Sequence, residues 1–151
     1  MTEQKNKNRK RTLSRLVAAQ ILYQHEFHQK KKSYEEIKEN LIANYVLDSE
    51  EEITSYKEKI DEDFLDKLLS STAVFEKLDQ EIEPFLQQPV AKLDLLMLQI
   101  LRLAIFELKT LQDAPNKVII DEYVGIAASF FDRKKVTFAN AILDKFKDNS
   151  K

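Results

Sequence analysis

His25 and His28 stand three residues apart with Glu26 between them, and such a pair would offer two imidazoles to a transition metal. No third ligand is spaced to join them. At the polar end of a helix a histidine is also welcome for its charge, beside the C-terminal carbonyls, which is the structural reading of the pair. Carboxylates crowd the stretch from Asp48 to Asp63, where eight acids stand against Lys57 and Lys59, a local net charge of −6. General acid catalysis needs a carboxyl group withdrawn from water, and a run this polar reads as solvated. With 0 Cys and 1 Gly, the chain has no thiol for a nucleophile, disulfide or zinc cluster, and no glycines for a phosphate cradle. No Ser, His and Asp constellation stands out either. The expectation is a protein that is not an enzyme, with no metal, no cofactor and no small-molecule substrate.

The cations are more telling. Residues 1–15 hold Lys5, Lys7, Arg9, Lys10, Arg11 and Arg15 against Glu3, a net +5 in a chain whose total is −2. A basic arm on an acidic body suits an arm that meets a polyanion, or else a solvated tail. A second positive group, Arg133, Lys134 and Lys135, is followed by Phe138 and Asn140. Cations for phosphate, a ring for stacking and an amide for a base edge are the parts of single-stranded RNA recognition. Core packing for Phe138 and first-turn capping for Asn140 are the structural alternatives.

These residues need elements to hold them. The 151 residues fit one domain or two small subdomains, and 43% hydrophobic content is enough for a core. So few glycines and prolines argue for helices, and an all-α chain is expected. Apolar spacing from Leu13 predicts a first helix over Thr12 to His28. Ser33 followed by Glu36 predicts a capped second helix to Tyr45. The acidic stretch to Asp61 reads as a mobile connection with room for a turn through Ile53 and Tyr56. A third helix is expected from Asp63 to Ile82, then a break at Pro84 and Pro89.

Leu93 to Leu111 is apolar almost all round, as for a central pillar surrounded by other helices. Its charges Arg102 and Glu107 lie about 140° apart at ~100° per residue, so each should answer a neighbouring helix or reach the surface. Pro115 and Asn116 open a helix to Phe130, Asp132 to Lys135 forms a polar loop, and Thr137 caps a last helix to Phe146. No apolar run is long and uncharged enough for a membrane span, and no secretory leader is seen, so a cytoplasmic protein is expected. Residues 1–11 should be a basic flexible arm and 12–147 one helical domain, with subdomains over 12–84 and 90–147.

Four stretches in order carry a family likeness. They are Ser14-Arg15-Leu16-Val17-Ala18-Ala19-Gln20-Ile21-Leu22-Tyr23-Gln24, then Ile100-Leu101-Arg102-Leu103-Ala104-Ile105-Phe106-Glu107-Leu108, then Pro115 with Lys117 to Glu122, and finally Phe138-Ala139-Asn140-Ala141-Ile142-Leu143-Asp144-Lys145. The chain resembles the NusB family of bacterial transcription antitermination factors. The resemblance implies an all-α bundle of two subdomains with about six to seven helices, and a factor that binds RNA without catalysis. It implies pairing with the small-subunit ribosomal protein NusE, recognition of boxA single-stranded RNA of ribosomal RNA operons, and an antitermination complex with RNA polymerase.

Carried onto this chain, the basic arm through Arg11 and Arg15, with Arg9 and Lys10, would touch RNA phosphate, with Phe138 beside it on the RNA face; Lys134, Lys135 and Asn140 join the expected RNA-binding set on their residue types and position alone. Tyr23 and position 97 would meet NusE. Met97 departs from the family's glutamate, Arg133 to Lys135 from a commonly acidic loop, and Ala141 and Ser70 from glycines. The alternatives are a helical RNA-binding domain related to the N-terminal part of ribosomal RNA cytosine methyltransferases, and a protein-interaction module without RNA activity.

Overall fold

A computed structural model describes residues 2–48 and 59–149, and every regular element among them is helical. The chain divides into two compact units, Met1–Leu69 and Ser70–Lys151.

In the N-terminal unit, α1 runs Thr2–Phe27, so the expected flexible arm is helix. Nothing between these residues breaks a helix. Gln4 Nε2 donates to Asn8 Oδ1 at 3.2 Å and Thr12 Oγ1 to the Asn8 carbonyl at 3.0 Å, local bonds where apolar periodicity is missing. The buried face carries Ser14, Ala18, Ile21 and Leu22, whose small members let other elements come close. α3 (Glu62–Leu69) packs on α1 and buries Phe64, Leu65 and Leu68.

α1 ends without glycine: Gln29 and Lys30 take φ of 56° and 65°, and the Lys30 N–H donates to the His25 carbonyl at 2.8 Å. Left-handed non-glycine residues cost roughly 1–2 kcal/mol each, so other contacts must hold this turn. His25 supplies two of them. Its Nδ1–H donates to the Lys32 carbonyl at 2.8 Å, and its ring lies 4.1 Å from that of Tyr34, the first residue of α2 (Tyr34–Asp48). Ser33 caps that helix, its Oγ accepting from the Glu36 N–H at 3.1 Å. The turn expected through Ile53 and Tyr56 lies outside the described residues.

The C-terminal unit opens with a 3₁₀ turn, Ser70–Val74, that packs on α4 (Phe75–Ile82) and on the pillar. The single helix expected over Asp63 to Ile82 is therefore interrupted, and the units divide at Leu69 rather than near Pro84. The break falls at Ser70-Ser71-Thr72, residue types with weak preference for a helix interior. The pillar is α5 (Leu95–Phe106), extended by a π-turn, Glu107–Leu111. Asp94 caps it, Oδ1 accepting from the Leu96 and Met97 N–H groups at 2.9 and 3.1 Å.

Every residue from Met97 to Leu108 is buried, Arg102 and Glu107 included. Both answer neighbouring helices. Arg102 grips Asp79 of α4 through two bonds of 2.7 and 2.6 Å and stacks 4.1 Å over Phe75. Glu107 accepts from the Tyr123 hydroxyl at 2.9 Å, on α6 (Asn116–Phe130). The last helix, α7, spans Arg133–Asn149 and buries Ala139, Ile142, Leu143 and Phe146. It starts four residues before Thr137, because Asp132 is the cap: its Oδ1 accepts from the Lys135 N–H at 3.1 Å. The expected loop is thus the helix's first turn.

Candidate nucleic-acid interface

In the C-terminal unit, Arg133, Lys134 and Lys135 are all exposed on the first turn of α7. A helix N-terminus carries a partial positive charge from its unpaired N–H groups, so three cations there repel it, by about 0.3–1 kcal/mol each in ordinary exposed settings. Asp132 is the one acid in that turn, and its Oδ1 is already taken by the Lys135 N–H. Lys135 Nζ sits 5.1 Å from the Phe131 ring, which holds its stem down while the charge stays in water.

Lys134, Phe138, Ala141 and Lys145 recur at three- and four-residue steps and share one face of α7. Phe138 is half-buried, and with Ala141, Ile142 and Lys145 it forms one wall of a groove of about 580 Å³. The opposite wall is the chain after Pro84: Phe85, Leu86, Gln87 and Gln88. Phe85 is fixed by packing 4.9 Å from Phe146, and Lys145 Nζ lies 5.7 Å from its ring. Two aromatic rings, two side-chain amides and a cation therefore line one concavity, the set a nucleotide's base, edge and phosphate require. Asn140 is exposed but does not line it, since two residues of helix turn it about 200° from Phe138 at ~100° per residue.

Phe85, Gln87 and Gln88 carry no sequence signal of their own. Only Lys145 was within reach of one, at seven residues from Phe138 on the same helix face.

In the N-terminal unit the four basic residues expected at phosphate are divided by the helix. Arg9 is exposed, and Lys10 and Arg11 are half-buried. Arg15, expected at phosphate, is only 3% exposed, its guanidinium 5.0 Å from the Phe64 ring. A ring face beside a cation in the core explains the difference: the side chain serves packing. Tyr23 is half-buried and stacks 5.7 Å from Phe27, which is 62% exposed and meets His28 edge-on at 5.5 Å. Met97, expected at the partner surface, is only 2% exposed. It lies in the buried run of the pillar, where an unpaired glutamate would be costly.

The NusB family model matches residues 12–148. The chain belongs to the NusB family. A transcription antitermination protein NusB of Idiomarina loihiensis is 40% identical over 91 residues, 60% of this chain and 66% of that protein. The NusB of Pseudoalteromonas translucida is 35% identical over 108 residues, 70% of this chain and 79% of its own. The matches to Vibrio NusB proteins span 53% of those relatives. Among solved structures, Thermotoga maritima NusB superposes with a TM-score of 0.71 at 27% identity, covering 89% of this chain and 88% of its own. A crystal structure of antitermination factors NusB and NusE in complex with dsRNA shares the fold at a TM-score of 0.73 and 19% identity, over 91% of this chain and 96% of the other. The NusB match begins at residue 12, so the basic first turns of α1 lie outside it.

Proposed function

We propose that this chain is an RNA-binding transcription antitermination factor. It pairs with NusE, binds boxA-type single-stranded RNA from ribosomal RNA operons, and supports RNA polymerase there. Membership of the NusB family, whose relatives are named transcription antitermination proteins, supports the role in transcription. NusE and RNA are the partners named with one fold neighbour. The observation that carries the RNA reading is the first turn of α7. Its three exposed cations stand against the helix dipole, and Lys134 lies one turn before Phe138 on the helix face that lines a groove with Phe85, Gln87, Gln88 and Lys145.

Phosphate would meet Lys134, Lys135 and the exposed Arg9, while a splayed base would stack on Phe138. The stacked pair Tyr23 and Phe27 is the better-placed surface for NusE, because Met97 is buried. The role is binding rather than catalysis, exercised in the cytoplasm. Filter binding with a boxA-like RNA and a scrambled RNA of equal length, with and without NusE, tests the proposal. Preference for the boxA-like RNA, strengthened by NusE, is expected; equal retention of both RNAs in both conditions would contradict it.

A further inference from the structure

The basic residues of α1 do not all face water. Glu3, Lys7 and Lys10 recur at helical spacing and look across an open groove of about 660 Å³ onto Asp61, Glu62 and Asp63. Two lysines share that groove with four acids; Lys10 is half-buried, while Lys7, like Lys5 and Arg9, is exposed. Asp61 is held against α1 by bonds that do not use its charge. Its N–H donates to the buried Ser14 Oγ at 2.9 Å, and the Ser14 hydroxyl donates to the Lys10 carbonyl at 2.6 Å. One carboxylate oxygen, Oδ1, accepts from the Phe64 N–H at 3.0 Å and caps α3. The other, Oδ2, stands 4.0 Å from Arg11 Nε, while the Arg11 guanidinium lies 4.8 Å from the Phe64 ring. Glu62 also faces Lys38 at 3.9 Å.

We propose that Asp61 is an intramolecular competitor for RNA phosphate. Its carboxylate is fixed beside Arg11, and Glu62 and Asp63 stand across from Lys7 and Lys10. The groove side of α1 is thereby held below the polyanion affinity that its sequence charge implies. The first contact with RNA falls to the outward cations, and sequence-independent retention of RNA is reduced. The proposal rests on the RNA-binding reading above. A cap alone does not require the charge, because asparagine caps a helix as well as aspartate does.

That equivalence makes Asp61→Asn the test. The cap acceptor and both backbone bonds remain, so the helical circular dichroism and melting curve should stay as in the wild type. Affinity for a boxA-like RNA and for a scrambled RNA should rise together, by about threefold at low salt, the scale of an exposed ion pair. The log-log salt slope should steepen by about 0.7, one added single-strand phosphate contact. Adding Arg11→Ala should remove both gains. Glu62→Gln with Asp63→Asn, which leaves the cap untouched, should also raise affinity. Unchanged affinity and slope in both variants, beside a wild type that binds RNA, would overturn the competitor and leave the RNA reading standing. A wild type that retains neither RNA at low salt would overturn the RNA reading, and this inference with it.

Discussion

The two basic regions of the chain have similar composition and opposite surroundings. Along the first turns of α1, Lys7 and Lys10 share a groove with Asp61, Glu62 and Asp63, Arg11 is drawn to Asp61, and Arg15 is buried beside Phe64. At the start of α7, Arg133, Lys134 and Lys135 are exposed, and Asp132 caps the helix without an ion pair to any of the three, whereas the cap Asp61 pairs with Arg11. A count of charges ranks α1 first; the surroundings rank α7 first. A cation held by an acid at 4 Å must exchange one partner for another when phosphate arrives, whereas a solvated one exchanges only counterions. Unfavourable placement at a helix N-terminus raises the stakes further, since an arriving anion relieves repulsion as well as gaining a contact.

Substitutions can sharpen this contrast, beginning with the largest effect. Phe138→Ala should weaken RNA binding by about 1–3 kcal/mol, the value of a stacked base, because the ring lines the groove. Its partial burial also predicts a lower melting temperature, by less than the ~3–5 kcal/mol equivalent of a fully buried phenylalanine. NusE binding measured by calorimetry should be spared. A large melting loss with RNA affinity intact in the folded protein would return Phe138 to the core.

Arg15→Ala should act in the opposite sense, lowering stability by about 2 kcal/mol through lost packing and ring contact, with the RNA salt slope unchanged. A flatter slope at constant stability would show that Arg15 reaches phosphate after all. The smallest effect belongs to Arg9→Ala: one outward cation, a slope reduced by about 0.7, and an unaltered melting curve.

The helices of the core were legible in the sequence because burial imposes period. Ala18, Ile21 and Leu22, or Ile119, Tyr123 and Ile126, announce a face before any coordinates exist. The first turns of α1 were not legible as helix, because they bury almost nothing and have no apolar period to read. The start of α7 was misplaced for a different reason. Asp132 and Thr137 are both acceptable caps, and the choice depends on where the preceding helix releases the chain.

The site was half legible. Lys134, Phe138 and their spacing lie on one helix, but the other wall of the groove comes from Phe85 to Gln88, across several intervening elements. The neutralisation of Arg11 was invisible for the same reason. Asp61 meets α1 across 47 residues of chain, through the buried hydroxyl of Ser14. Charge counts are local in sequence, and compensation is local in space.

The most direct test of the account compares salt slopes for two triple alanine variants binding one boxA-like RNA. One variant replaces Arg133, Lys134 and Lys135; the other replaces Lys7, Lys10 and Arg11. If the surroundings decide, the α7 variant flattens the slope by about 2, three single-strand phosphate contacts, while the α1 variant flattens it by clearly less than the same three contacts would. A flattening by the α1 variant equal to or greater than that of the α7 variant would contradict the account.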